Sequence, residues 1–154
     1  MKYFLKIILF FVSFQALSQS KATSNLIASI SKADTVYFVA DNSGCFHAYI
    51  LEVKFCKQKS GQRKVIVKGE KGIEQHFISS KNYQSFISNY QSSASHFSKS
   101  DKITCTSSVD FDLYSKAAKG KISSVKFKNT DCKAEFNPEM FLQDLFRANE
   151  PTKK

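Results

Sequence analysis

Glycine is scarce in this chain, five in 154 residues, and none sits in a phosphate-cradling pattern. Gly69-Glu70-Lys71-Gly72 reads as a hairpin turn and lacks the G-x-x-x-x-G-K-[ST] spacing that wraps a nucleotide's phosphates. Arginine is scarcer still: Arg63 and Arg147 are the only two among 23 basic residues. Arginine grips phosphate and carboxylate with two parallel donors, whereas lysine is a hydrated point charge, so a dedicated bidentate anion site is not expected. No C-x-x-C pair is present, and His47, His76 and His96 never fall four apart on one helix, which argues against zinc or any other metal. No segment repeats, and no cofactor motif appears. The longest apolar run, Ile7 to Phe14, is far below the roughly 20 residues of a membrane span.

That run has another use. Lys2 and Lys6 precede it and Ala16-Leu17-Ser18 follows, which is the basic, apolar, small-residue order of a secretory signal peptide. Cleavage is expected after Ser18. The first cysteine, Cys45, is too distant for lipid attachment at the cut, so a periplasmic or secreted protein without stable membrane insertion is expected. Removing residues 1–18 takes two lysines and no acid from the 154-residue chain, lowering net charge from +10 to +8 over 136 residues. That length suits one domain. The expected organisation is a flexible segment at 19–24, an α+β domain at 25–150 and a disordered tail at 151–154. Abundant lysine, phenylalanine, isoleucine, serine and asparagine fits an AT-rich bacterial genome, and the basic excess invites an anionic partner.

Periodicity supplies the elements. Leu26, Ile27 and Ile30 sit at helical spacing behind Thr23 or Ser24 as N-cap. Thr35 to Ala40 reads as a strand and Asp41-Asn42-Ser43-Gly44 as a turn. Between Phe46 and Lys57 the odd positions Tyr49, Leu51, Val53 and Phe55 are apolar while Glu52 and Lys54 alternate with them, the mark of a half-buried strand. Lys59 to Gln62 turns the chain into strands at 64–68 and 73–78. Ser80 then caps a long helix whose stripe is Tyr83, Phe86, Ile87, Tyr90, Ala94 and Phe97. Two further strands, 103–113 and 121–128, flank Lys119-Gly120, and Asn137-Pro138 opens a last helix through Phe146. The pattern predicts an α+β domain: a mostly antiparallel, curved sheet of about six strands, with one long and one or two short helices on one face.

Four cysteines in a small exported domain predict two disulfides. Cys45 and Cys105 share the parity of core residues on their strands, and Cys56 and Cys132 share that of charged ones. Joining Cys45 to Cys56 along one strand would span roughly 35 Å, against the roughly 7 Å limit on Cα separation in a bridge. The expected pairs are therefore Cys45–Cys105 and Cys56–Cys132, with Cys105–Cys132 across the hairpin as the competing choice.

Catalytic patterns are thin. Cys45 and His47 can face one side of a strand as thiol and base, but no third group or oxyanion donor accompanies them. His47, His76 and Lys68 form the one trio suited to phosphodiester cleavage. Asp110 and Asp112 are expected to pair with Lys126 and Lys128 across the hairpin. A stacking surface for nucleic acid needs exposed aromatics among cations. Most aromatics here fall on apolar parities, so the core is expected to hold them. The reading that results is a non-catalytic binding or interaction module for an anionic polymer or another exported protein. Its expected anion-binding residues are Lys116, Lys119, Lys121, Lys126, Lys128 and Lys133 around the last hairpin. A small hydrolase, nuclease-like or thiol-dependent, and an inhibitor of a secreted enzyme are the alternatives.

Overall fold

The computed structural model describes residues 21–43, 48–70, 72–97, 108–117 and 120–129. Helix α1 (residues 21–31) leads into β1 (Thr35–Ser43), β2 (Tyr49–Lys57), β3 (Arg63–Gly69) and β4 (Gly72–Ile78). Helix α2 (Ser80–Phe97) then crosses to β5 (Ser108–Lys116) and β6 (Ile122–Asn129). All pairs are antiparallel, and the strand order β4-β3-β2-β1-β5-β6 makes one open sheet, an α+β fold. No helix among the described residues is long and apolar enough to cross a membrane.

Alternation decides which face the helices take. Val36, Phe38 and Ala40 on β1, Leu51, Val53 and Phe55 on β2, Val65 on β3, Phe111 and Leu113 on β5, and Val125 and Phe127 on β6 point to one side and are buried. Ile27 and Ile30 of α1 and Tyr83, Phe86, Ile87, Tyr90 and Ala94 of α2 close over them, so the predicted helical stripe packs from Tyr83 to Ala94. Phe38 stands at the centre, edge-on to Phe86 and Tyr90 and stacked on Phe111. The start of α2 lies over β2 through Tyr83 and Phe55, and its later turns lie over β6 through Tyr90 and Phe127. Two tyrosine hydroxyls in this layer are satisfied: Tyr83 donates to Ser31 O at 3.0 Å and Tyr90 to Val125 O at 2.8 Å.

Arg63 is the most unexpected member of this layer. Buried at the start of β3, it donates through Nη1 to Ala33 O (3.1 Å) and through Nη2 to Ser31 O (3.0 Å), at the end of α1. Its guanidinium lies 3.9 Å from the centroid of the Tyr83 ring. A cation is favourable where the last carbonyls of a helix point, so this arginine locks α1 to the sheet.

Three local expectations are corrected. Asp41, Asn42 and Ser43 are strand rather than turn, because β1 is central and pairs on both edges: Asn42 faces Tyr49 on β2 and Val109 on β5. Ladder pairing on two sides outweighs the turn preference of Asp and Asn. Helix α2 is capped by Ser79 and not Ser80: the Asn82 N–H donates to Ser79 Oγ at 3.1 Å, while Ser80 Oγ donates to Gly61 O in the β2–β3 turn. Helix α1 is already formed at Lys21, ahead of Thr23 and Ser24, so residues 21–24 are helical rather than a flexible segment. The turn at 58–62 is as expected, closed by Gly61 N–H to Gln58 O with Gly61 at φ +82°, a conformation that favours glycine. The predicted helix after Asn137 and the strand start at 103–107 lie outside the described residues.

Candidate functional site

The sheet face opposite the helices carries the other half of every alternation, and its registers set out the side chains in rows. One row runs Gln75, Ile66, Lys54, Tyr37, Tyr114, Ser124 from β4 to β6. Its neighbours are Phe77, Lys64, Cys56 and Thr35, then Lys116 and Ile122, on one side, and Ile73, Lys68, Glu52, Val39, Asp112, Lys126 on the other. Ile50, Ile73, Phe77 and Ile122 are more than half exposed, and all four belong to this face.

At its centre Tyr37 and Tyr114, on the adjacent strands β1 and β5, stack with ring centroids 4.8 Å apart and planes 7° from parallel. Lys54 Nζ lies 5.7 Å from the Tyr37 centroid. Lys116 Nζ lies 5.5 Å from Tyr37 and 6.0 Å from Tyr114. Each such contact is worth about 0.5–1 kcal/mol at a partly exposed site. Partial burial, helped by the neighbouring Tyr37, Asp112 and Glu52, raises the Tyr114 pKa and keeps its phenol neutral.

Charge is segregated across the face. Lys68 pairs with Glu52 (3.4 Å), Lys126 with Asp112 (3.2 Å) and Lys128 with Asp110 (3.9 Å). Asp41 stands directly opposite Asp110 in the same region. Towards the other end of the strands, Lys54, Lys64 and Lys116 have no carboxylate partner among the described residues. Beside Tyr114 a trough of about 860 Å³ opens over β5 and β6, bordered by Lys116, Ile122, Ser124 and Lys126 and also by the carboxylates Asp41, Asp110 and Asp112.

No protein family, curated protein or solved structure matches this chain.

The expected site residues distribute as follows. Lys126 and Lys128 sit on the open face but are held by the two aspartates, as the hairpin parity predicted. Lys116 is at the tyrosine pair, and Lys121 is exposed beyond the hairpin turn, whereas Lys119 and Lys133 lie outside the described residues. Cys56 takes the outer face, opposite Thr35 and Lys64, in keeping with its parity. Cys45, Cys105, Cys132 and His47 lie outside the described residues, and with them both predicted disulfides and the Cys45–His47 pair.

Of the phosphodiester trio, His47 lies outside the described residues and the other two are on opposite faces. Lys68 projects from the open face, while His76, opposite Val65 and 3.3 Å from Glu74, is on the helix-side parity of β4. Among the described residues no three His, Cys, Asp or Glu side chains are placed to hold a metal ion. Tyr37, Lys54, Lys64 and Tyr114 were not singled out from sequence. The signal was present in parity: Tyr37 alternates with the buried Val36 and Phe38, and Tyr114 with Leu113 and Ser115.

Proposed function

We propose that this protein is an exported, non-catalytic binding module whose open sheet face engages an anionic polymer. The observation that carries the reading is the pair of ammonium ions Lys54 and Lys116, without a carboxylate partner, at a stacked, part-exposed tyrosine pair, with a third such ion, Lys64, on the same face. Each ammonium meeting a phosphate, sulfate or carboxylate releases a counterion, which gives affinity that falls with salt. The tyrosines add apolar surface with little conformational freedom to lose. Of the lysines expected around the last hairpin this reading keeps Lys116 and adds Lys54 and Lys64, because Lys126 and Lys128 are held by Asp112 and Asp110. The N-terminal basic, apolar and small-residue order supports export.

The test is retention on immobilised heparin with a salt gradient. Lys54→Glu with Lys116→Glu should elute the protein at markedly lower salt. Lys81→Glu with Lys21→Glu, on exposed helical positions, makes the same change in net charge and should shift elution much less. Equal shifts from the two pairs, or no salt-dependent retention of the unmodified protein, would sink the proposal.

A further inference from the structure

The row through the tyrosine pair ends one place short. Tyr37 and Tyr114 face each other in register on β1 and β5, and their 4.8 Å centroid separation equals the strand spacing. With planes only 7° from parallel, the stack runs across the strands, one ring per strand. On one side it is closed by Lys54, the next residue in the row. On the other side the register partner of Tyr114 is Ser124, a side chain of two heavy atoms, and the trough opens there. We propose that this place over Ser124 takes the base of a single-stranded nucleic acid, stacked on Tyr114 as the third ring of the row. The proposal rests on the reading of the open face as an anion-binding surface and names its ligand.

The neighbours around Ser124 suit a nucleotide, two of the trough's three carboxylates, Asp110 and Asp112, being paired with Lys128 and Lys126. Ile122 and Lys126 flank Ser124 along β6 on the same face, and Lys116 is the register partner of Ile122. A base over Ser124 has an apolar neighbour in Ile122. Its own phosphate comes within reach of Lys116, which has no carboxylate partner among the described residues, and the phosphates of further nucleotides along the strand can meet Lys54 and Lys64, three and four strands away. A duplex hides its bases in its own stack, so the ligand is single-stranded. Acidic polysaccharides share the charge but offer no flat aromatic ring to extend a parallel stack. They are therefore the alternative outcome.

The experiment compares three ligands of the unmodified full chain by fluorescence anisotropy: a labelled oligothymidylate, an abasic deoxyribose-phosphate oligomer of equal length, and a sized heparin fragment. The expected result is oligothymidylate binding about tenfold or more tighter than the abasic strand, the scale of one stacked base. Tyr114→Ala should remove that preference, bringing oligothymidylate binding down to that of the abasic strand. Ser124→Phe, which fills the place from the solvent side without entering the core, should do the same. Equal affinity for the base-bearing and abasic strands, or a preference that survives both substitutions, overturns the base site while leaving the anionic-polymer reading standing. Tighter binding of heparin than of oligothymidylate does the same. Absence of binding to all three overturns both.

A second inference comes from the edge strand β4. Its residues Ile73-Glu74-Gln75-His76-Phe77 are self-complementary in an antiparallel pairing centred on Gln75: Ile73 meets Phe77 of a second copy on the open face, and Glu74 meets His76 on the other. Ile73 and Phe77 are 68% and 56% exposed, unusual for large apolar side chains on an edge strand, which otherwise invites pairing. We infer that β4 joins two copies of this chain into a twelve-stranded sheet. The two-fold axis stands perpendicular to the sheet, so both tyrosine pairs share one side, their Tyr37 rings seven strand spacings or roughly 34 Å apart. Sedimentation equilibrium at tens of micromolar should give twice the chain mass, Ile73→Lys should give a monomer, and Glu74→Lys should weaken the dimer. Exchanging the two residues, Glu74→His with His76→Glu, preserves the complementarity and should restore it. A monomeric unmodified protein, or a dimer indifferent to Ile73→Lys, would overturn the inference.

Discussion

Replacing Arg63 by alanine removes a buried guanidinium that joins β3 to the end of α1, and its cost can be worked out bond by bond. Two hydrogen bonds near 3 Å, to Ala33 O and Ser31 O, come from a charged donor, and the third, to Asp34 O at 3.5 Å, adds little. Charged hydrogen bonds contribute roughly 1.5–3 kcal/mol each, and the contact with the Tyr83 ring about 1–2 kcal/mol. Two acceptors keep other partners: Ser31 O holds the Tyr83 hydroxyl and Asp34 O holds the Lys57 N–H. Only Ala33 O is left without its recorded partner, which places the loss near the lower end, at about 4 kcal/mol. Against a typical domain stability of roughly 5–15 kcal/mol, that lowers the melting temperature by roughly 10–20 °C. Urea unfolding followed by far-ultraviolet circular dichroism measures it. Arg63→Lys, which keeps the charge but not the fork, should cost about half as much. In Tyr83→Phe the Arg63 bonds remain and only the hydroxyl is lost, at about 1 kcal/mol. A cost below about 1 kcal/mol for Arg63→Ala would mean that this arginine is an ordinary surface cation and that its packing is misread.

Alkaline pH should unfold the protein through two buried phenols. Burial pushes the Tyr83 pKa up to about 12, despite the opposing charge of Arg63, and raises Tyr90 further, burial being the first cause there and the Asp112 charge the second. Both folded values exceed the unfolded value of 10, so the native state holds protons that the unfolded chain releases. Stability is then full below pH 10 and declines from there through pH 12, at about 1.4 kcal/mol per pH unit for each phenol. Absorbance at 295 nm against circular dichroism tests this, and full tyrosine titration near pH 10 in a still-folded protein would contradict it. Phe38→Ala empties the centre of the aromatic cluster with Phe86, Tyr90 and Phe111 and should cost roughly 3–5 kcal/mol. A loss under 1 kcal/mol in urea would show that the core is not built around that ring. Tyr90→Phe removes the bond to Val125 O and leaves that carbonyl buried, for about 1–2 kcal/mol in the same assay.

Local repetition carried much of the architecture. A period of two over Leu51, Val53 and Phe55 places those residues inward whatever the strand pairs with, and offsets of three and four over Tyr83, Phe86, Ile87 and Tyr90 place one helical stripe on the sheet. The Asp110–Lys128 and Asp112–Lys126 pairs were legible for the same reason, since a short hairpin fixes its own register. The binding face was not legible. Tyr37 and Tyr114 are far apart in the chain, and nothing local announces that β5 will settle beside β1. The strand order also turned Asp41 to Ser43 from an expected turn into paired strand, and it spent one of the two arginines, Arg63, inside the fold.

The sequence by itself thus determined most element types, the inward and outward face of each strand, the helical stripe and the charge of the outer surface, because these depend on side chains a few residues apart. Tertiary structure alone decided the neighbours: β1 in the middle, α2 crossing from the β4 edge to β5, and the two tyrosines side by side with Lys54 and Lys116. The physical reason is that non-consecutive strands choose partners by burying a shared apolar face and satisfying both backbone edges at once. Those terms have no local signature in the chain.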